Sequence, residues 1–421
     1  MSLPAAPLRR RALARTVVAL SAIAATALAL TGCSAGSASA DSKTVTFLSW
    51  DSQQTMQPVF AEFEKENPGY KVQASYAPPV PQYIQKLQTQ LGSGTAPDVF
   101  IITAENKTQI MNGGFAKDLS GESWISNVAK AARDTYTKDG KVYGAAVASW
   151  GGGFLVNKDL LAKVGYSAPP KTWDDFLALA KKLSSAGITP FYEAADGVPV
   201  SLAALLGLEN ESHGGSMDKQ IWAGKTTFAK TWTPAVKTWN KLFTESAEPR
   251  TVAGLTGDQV TQQFEQGKVA MIGTGSWNLG AVQQAAPNLK LDFLAVPGAS
   301  GESYWAGAVS PGYAINAKAK DPAAADKFVQ FLQSKKGVEI YQKQTQSITT
   351  TADFTPSLDP ALTTMSSAVR DGKFYLPQVS WPDHSDVLNS EAVALLQQLI
   401  AGKINPEDVG TGLDAKLQST K

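Results

Sequence analysis

Cysteine is nearly missing: Cys33 is the single one in 421 residues, so the chain forms no internal disulfide and offers no thiolate metal cage. Histidine is almost as scarce. With only His213 and His384, far apart in sequence, neither a histidine metal site nor a Ser-His-Asp arrangement finds support. Charge is thin as well, at 18% of residues with a formal net of +1, and no basic stripe stands out that would hold a nucleic acid. What is plentiful is apolar and aromatic: 43% of residues are hydrophobic and ten are tryptophan. A chain this long buries more than one core, so two or more lobes are expected.

The first segment stands apart. Arg9, Arg10, Arg11 and Arg15 precede an uncharged apolar run from Val17 to Leu30, the anatomy of an export leader and too short for a comfortable bilayer span. The run ends in Leu30-Thr31-Gly32-Cys33, which resembles the lipobox of bacterial lipoproteins. That resemblance implies a signal peptide over 1–32, cleavage before Cys33 and acylation of its thiol, hence a lipid anchor at the extracytoplasmic face of the cell membrane. Two acyl chains hold stably at a bilayer, one only marginally. The alternative is an ordinary secretory leader with an incidental cysteine. Losing residues 1–32 removes four arginines and no acid, which moves the net charge from +1 to −3. The small residues Ser34 to Ala40 have nothing to pack, so 33–42 reads as a flexible tether.

Beyond the tether, strands and helices alternate, which argues for an α/β lobe. Val45 to Leu48 reads as a strand, Met56, Val59, Phe60 and Phe63 share one helix face, and Asn67-Pro68-Gly69 stops that helix. A second strand starts at Val72, a second helix carries Tyr83, Leu87 and Leu91, and Val99 to Ile102 is apolar on both faces, as suits mid-sheet. Ser149-Trp150-Gly151-Gly152-Gly153 sets three freely turning glycines between β-like runs, where a hinge crossing is expected. Thr172 and Asp175 predict a capped helix whose apolar face includes Trp173, Phe176 and Leu177. Asp321-Pro322 and Asn405-Pro406 open two later helices, and another carries Leu388 to Leu399. No internal repeat or low-complexity stretch appears after the tether.

Five segments in order resemble the extracellular solute-binding proteins of carbohydrate ABC importers, the maltose-binding-protein-like group: Phe63-Glu64-Lys65-Glu66-Asn67-Pro68-Gly69, Gly94-Thr95-Ala96-Pro97-Asp98, Asn157-Lys158-Asp159-Leu160-Leu161, Phe264 to Met271, and Gly275-Ser276-Trp277. The resemblance implies an α/β, two-lobe periplasmic-binding-protein-like (type II) fold with a ligand cleft between the lobes. Lobe 1 would comprise 43–149 plus 310–348, and lobe 2 152–306 plus 351–421. It further implies a monomer that closes around a mono- or oligosaccharide, passes it to ABC permease subunits, needs no cofactor or metal and catalyses no reaction.

A sugar presents apolar C–H faces and a hydroxyl rim, so its site needs flat aromatic platforms beside carboxylates and amides. Trp50 and Asp51 follow the first strand, where open α/β sheets place ligand loops; the alternative is a core aromatic and a helix cap. Glu105 and Asn106 follow the apolar strand and resemble the polar pair of the maltose-binding protein there, with asparagine replacing arginine; as a plain loop they would be solvated. Trp150 is read as a cleft wall and Trp277 as the family's stacking aromatic. Trp305 with Gly307, and Trp381 with Asp383, are candidates of the same kind, and Glu193 and Asp196 match the second lobe's sugar contacts loosely. Trp173 is core by its helical spacing, Trp222, Trp232 and Trp239 are assigned to packing or lobe surface, His384 to the surface, and Asp98 to a structural role.

Two other functions fit a two-lobed secreted chain. A glycoside hydrolase would need two carboxylates facing across one bond, for which no local motif stands out. A sensor or adhesion lipoprotein would use the cleft without transport.

Overall fold

The computed structural model describes residues 43–146, 148–166, 168–349, 351, 354 and 357–420, so the leader, Cys33 and the tether lie outside the described residues. The chain opens with strand β1 (Lys43–Ser49), helix α1 (Gln53–Glu66), β2 (Tyr70–Tyr76), α2 (Val80–Ser93), β3 (Val99–Ile102) and the short α3 (Lys107–Asn112). Ser52 caps α1 by accepting from the Thr55 N–H, and Met56, Val59, Phe60 and Phe63 bury one face. Gly69, at φ +90°, makes the turn that proline and asparagine prepare.

A hairpin, β4 (Thr137–Lys138) and β5 (Lys141–Val142), leads to the long β6 (Ala148–Asn157). Then come β7 (Thr189–Tyr192), β8 (Val269–Gly275), β9 (Leu291–Leu294), β10 (Val296–Pro297), β11 (Ser303–Val309), β12 (Gly312–Ile315), β13 (Ile348–Thr349) and β14 (Phe374–Tyr375). Two main sheets result. The smaller runs β12-β3-β1-β2, with β1 parallel to both β2 and β3 and β12 antiparallel to β3. The larger has eight strands and is organised around β6, which pairs with β8, β9, β11 and β13.

Each sheet has its own core. Phe47 of β1 packs edge-on against Phe60 and Phe328 at 5.9 and 5.6 Å, and Phe328 also meets Phe63 at 5.1 Å. Burying one such ring contributes about 1.5–3 kcal/mol. In the larger core Phe154 stacks on Phe176 at 4.7 Å, with Trp173 and Phe191 around them. Thr172 and Asp175 form the reciprocal cap that positions the helix Trp173–Ser185, as their spacing predicts. The first core draws on residues between Val45 and Ala148 and between Val309 and Tyr341. The second draws on residues between Phe154 and Ala308 and between Ile348 and Leu417, with Ala104 added from the loop after β3.

The triglycine segment departs from expectation. Strand β6 passes through Gly151, Gly152 and Gly153 without a break, and none of the three has a positive φ. Their role is room. A Cβ on Gly151 would lie 2.6 Å from Met365 Cγ, and one on Gly153 would lie 2.5 Å from the Leu294 carbonyl oxygen. On the opposite face a Cβ on Gly152 would meet Val200 Cγ1 at 3.0 Å, so glycine is required by close packing on both faces of the strand, not by a turn.

Candidate functional site

Strands β1 and β3 run side by side and parallel, so their C-terminal ends bring Trp50-Asp51 and Glu105-Asn106 to one edge of the smaller sheet. Strand β6 begins beside this edge, where Ser310 N–H bonds the Ala148 carbonyl. Trp150 follows two residues into β6 and Trp277 sits just past the end of β8, whose Gly275 pairs with Gly152.

Trp150 and Trp277 meet edge to face, with centroids 5.0 Å apart and planes at 89°. Trp277 keeps half its surface open, at 50% exposure, alone among large apolar side chains of the described residues. Its ring lies close over Gly275, where a Cβ would come within 1.9 Å of it, so the glycine of the Gly-Ser-Trp segment leaves the room that the indole takes. A flat, half-open indole braced by a second ring suits stacking against an apolar face of a ligand.

At the end of β1, Trp50 packs edge-on against Tyr83 at 6.1 Å, and the Tyr341 hydroxyl donates to Asp51 Oδ2 at 3.1 Å. Burial lifts the Asp51 carboxyl to about 6, against the hydrogen bonds from Tyr341 and Trp50 that pull it down. Burial also raises Glu105, which the Thr103 hydroxyl and its own backbone N–H offset. Asn106 is fully buried; its Oδ1 accepts from the Thr103 N–H at 2.8 Å while its Nδ2 has no protein partner. Expected as a solvated loop or a ligand contact, Asn106 is held as the brace of the turn after β3, with one donor spare.

Four expected contacts are corrected. Trp381 is 1% exposed, stacked on Trp232 at 6.1 Å and edge-on to Phe228, so it is core and offers no free face. Trp305 is buried over Gly153, where it fills the space a Cβ would take. Gly307 serves strand packing: a Cβ there would stand 2.7 Å from the Trp150 carbonyl oxygen. Glu193 is buried with its carboxylate engaged by Ser201 Oγ and, at 2.9 Å, by the Ser201 N–H. Its neighbour Glu248 accepts from the Glu193 N–H and is raised well above the carboxylate range, by burial first and by Glu193 second. Asp196 is exposed and accepts from Gly257 N–H at 3.0 Å, at the start of the helix Gly257–Glu265. Asp383 is half-buried and accepts from the His384 N–H at 2.8 Å. Trp232 and Trp239 are fully buried, and Trp222 packs half-buried against the same core.

Asp98 has the structural role expected of it. Its carboxylate accepts from Thr46 N–H and Oγ1 at 2.9 and 2.5 Å and from Lys320 N–H at 2.7 Å, tying β1 to the loops on either side of the sheet. A cavity of about 450 Å³ opens here, on the N-terminal side of β3 and thus away from the strand ends that carry the candidate residues; Gln73, Gln90, Asn316 and Lys318 line it.

Sequence reasoning missed Lys107 and Tyr341. Lys107 opens α3, and its Nζ donates to the Val379 carbonyl oxygen at 2.5 Å, a contact from α3 to the short helix Pro377–Ser380. Burial pulls its ammonium down to about 8. No pattern marks a lysine in a polar loop as a long-range donor, and Tyr341 at helical spacing reads as packing.

Residues 49–339 match the family profile of the bacterial extracellular solute-binding proteins, well over half the chain. The chain belongs to that family. A relative, the multiple sugar-binding protein of Streptococcus mutans serotype c, is 24% identical over 323 residues, covering 73% of this chain and 75% of that protein. Among solved structures, a family 1 extracellular solute-binding protein from Bifidobacterium longum subsp. infantis shares 32% identity with a TM-score of 0.74, over 90% of this chain and 99% of that one. An ABC substrate-binding protein from Listeria monocytogenes in complex with cycloalternan reaches a TM-score of 0.75 at 23% identity, over 90% and 99%. The two sheets and two cores are therefore the lobes of the two-lobe solute-binding fold, with the cleft between them. This solute-binding protein's family and neighbours are binding proteins rather than enzymes. Among the described residues no helix is long and apolar enough to cross a membrane, and no group of three or more His, Cys, Asp or Glu side chains is placed to hold a metal.

Proposed function

We propose that this protein captures a sugar or oligosaccharide between its lobes, closes over it, and delivers it unaltered to the permease of an ABC importer. The observation that carries this reading is the Trp150–Trp277 pair, a braced indole left half-open beside the strand that crosses between the lobes. Asp51 and Glu105 stand at the C-terminal ends of β1 and β3 and supply hydrogen-bond acceptors for hydroxyls. The sugar-binding names and the oligosaccharide complex among the relatives support the same ligand class.

Lobe 1 comprises 43–149 plus 310–348 and lobe 2 comprises 152–306 plus 351–421, a division supported by which residues share each core. Closure follows from ligand contacts made to both lobes at once. The protein acts as a monomer, tethered through acylated Cys33 on the outer face of the cell membrane. Detergent partitioning of Cys33→Ser tests the tether: the variant moves to the aqueous phase, and its retention in detergent refutes the anchor.

Thermal shift against raffinose and galactooligosaccharides, followed by chromatography of the recovered sugar, tests the central reading. A ligand that prefers the native state raises the melting temperature by mass action and comes back intact. Cleaved product identifies a glycoside hydrolase instead, and no shift with any sugar removes the ligand class.

A further inference from the structure

Three glycines leave a basin on one face of the larger sheet. Gly273 and Gly275 lie two positions apart on β8, roughly 7 Å along the strand, and so face the same way. Gly152 of β6 stands directly across from Gly275, on that same face. Three side chains fill the space, from the loops after β7 and β8 and from the helix Val200–Ser212. The Trp277 ring takes the position a Cβ on Gly275 would need, the Glu193 carboxyl takes the one at Gly273, and Val200 closes on Gly152, where a Cβ would meet its Cγ1 at 3.0 Å. The half-open indole therefore has a buried carboxyl as its neighbour along β8. That carboxyl accepts from the Ser201 N–H at 2.9 Å and from the Ser201 hydroxyl, whose oxygen in turn accepts from Trp239 Nε1 at 3.0 Å. Val200 and Ser201 open one helix, so the hydrogen bonds that fix Glu193 also fix Val200 in its slot.

From this packing we infer that Glu193 is a positioning residue for the aromatic platform: it fills the slot beside the Trp277 ring and seats the helix start whose Val200 fills the slot across from it. The indole is thereby held in one pose by a group that is itself shut away from any ligand. An apolar side chain of the same reach would fill the slot too, but it would leave the Ser201 N–H and hydroxyl without their acceptor. The carboxyl also makes the platform sensitive to pH. Glu248, from the segment after the helix Phe228–Thr244, accepts from the Glu193 N–H at 2.5 Å, and among the described residues no ion pair includes either carboxyl. Burial lifts Glu193 to about 7 and holds Glu248 well above the carboxylate range. Ionisation of Glu193 thus brings charge into the slot beside the ring with no cation to meet it. The ligand half of this inference rests on the sugar-binding reading; the pose of the ligand-free ring does not.

The test uses the full chain, with each protein paired to its own Trp277→Phe counterpart so that the difference in fluorescence emission reports Trp277 alone. Without ligand, Glu193→Ala moves this difference spectrum to the red, because the emptied slot loosens the ring. Glu193→Gln keeps the shape and an acceptor for the Ser201 N–H, and at about pH 6 its spectrum matches the native one. Between about pH 6 and pH 8 the native difference spectrum passes through a step as Glu193 ionises, and Glu193→Gln lacks that step. Calorimetry with the sugar that gives the largest thermal shift then finds affinity lowered roughly tenfold in Glu193→Ala and close to native in Glu193→Gln. Stability lost in Glu193→Ala with spectrum and affinity kept overturns the positioning role and leaves a merely structural carboxyl. A pH step in Glu193→Gln equal to the native one overturns it as well. Should Glu193→Ala fail to fold, the comparison of native and Glu193→Gln across pH decides by itself. Failure of every sugar to bind counts against the sugar reading, and the ligand-free spectra still decide what holds the ring.

Discussion

Trp277→Ala separates a binding aromatic from a structural one, because the folded state has little invested in this ring. Half of the indole is already open to water, and its aromatic contact is the edge-to-face pair with Trp150 at 5.0 Å. Such a pair contributes about 0.5–1.5 kcal/mol beyond burial, and the exposed half contributes almost nothing. The melting temperature therefore falls by only a few degrees in a chain of this size. Affinity suffers more. Truncating a desolvated aromatic anchor costs about 1–3 kcal/mol, a loss of roughly 5- to 150-fold in Kd. Calorimetry with the sugar that gives the largest thermal shift measures this directly, and Trp277→Phe, which retains a flat face, falls between alanine and the native residue. Unchanged affinity in Trp277→Ala refutes the stacking role, since no other reason for an exposed indole over Gly275 is then needed. A melting temperature lowered by ten degrees or more refutes it differently, by making the ring structural.

Two further outcomes follow from the buried residues. Trp381→Ala destabilises by about 3–5 kcal/mol in chemical denaturation, because the ring is enclosed by Phe228 and Trp232; if stability holds and only affinity drops, Trp381 belongs to the cleft after all. Glu193 has its carboxyl raised from 4.5 to about 7, burial outweighing the hydrogen bonds from Ser201. A carboxyl raised in the folded state favours folding fully below its unfolded value and loses that contribution as pH climbs through the folded one. The native protein therefore sheds about 3 kcal/mol between pH 4.5 and 7 at this position, and Glu193→Gln removes that part of the slope. Urea midpoints across that range check it; parallel curves for the two proteins refute the burial argument.

The sequence was most legible where one local rule decides. Thr172 and Asp175 announce their capping box, Asn67-Pro68-Gly69 its turn, and Val99 to Ile102 a strand buried on both faces. It was least legible where the answer depends on what lies across space. Trp381, just after the short helix Pro377–Ser380, and Trp277, in the 3-10 turn Ser276–Asn278, both precede a longer helix, yet one is enclosed by two rings from the helix Phe228–Thr244 and the other is left open. Likewise Glu193 looks like a polar loop residue until Ser201 folds back onto it. Lys107 carries no local signal at all, because its acceptor is 272 positions away. The glycines of β6 misled in a different manner: sequence shows that side chains are missing, but not whether the backbone there bends or is crowded.

That crowding limits how such a receptor can change its diet. The strand that carries Trp150 is crowded at its glycines, with the Met365 and Trp305 side chains and the Leu294 carbonyl oxygen pressed against positions 151 and 153, so no added methyl can enter without displacing a neighbour. New ligand preferences must therefore arise from replaceable walls, Trp277 and the residues ending β1 and β3, while that strand stays bare.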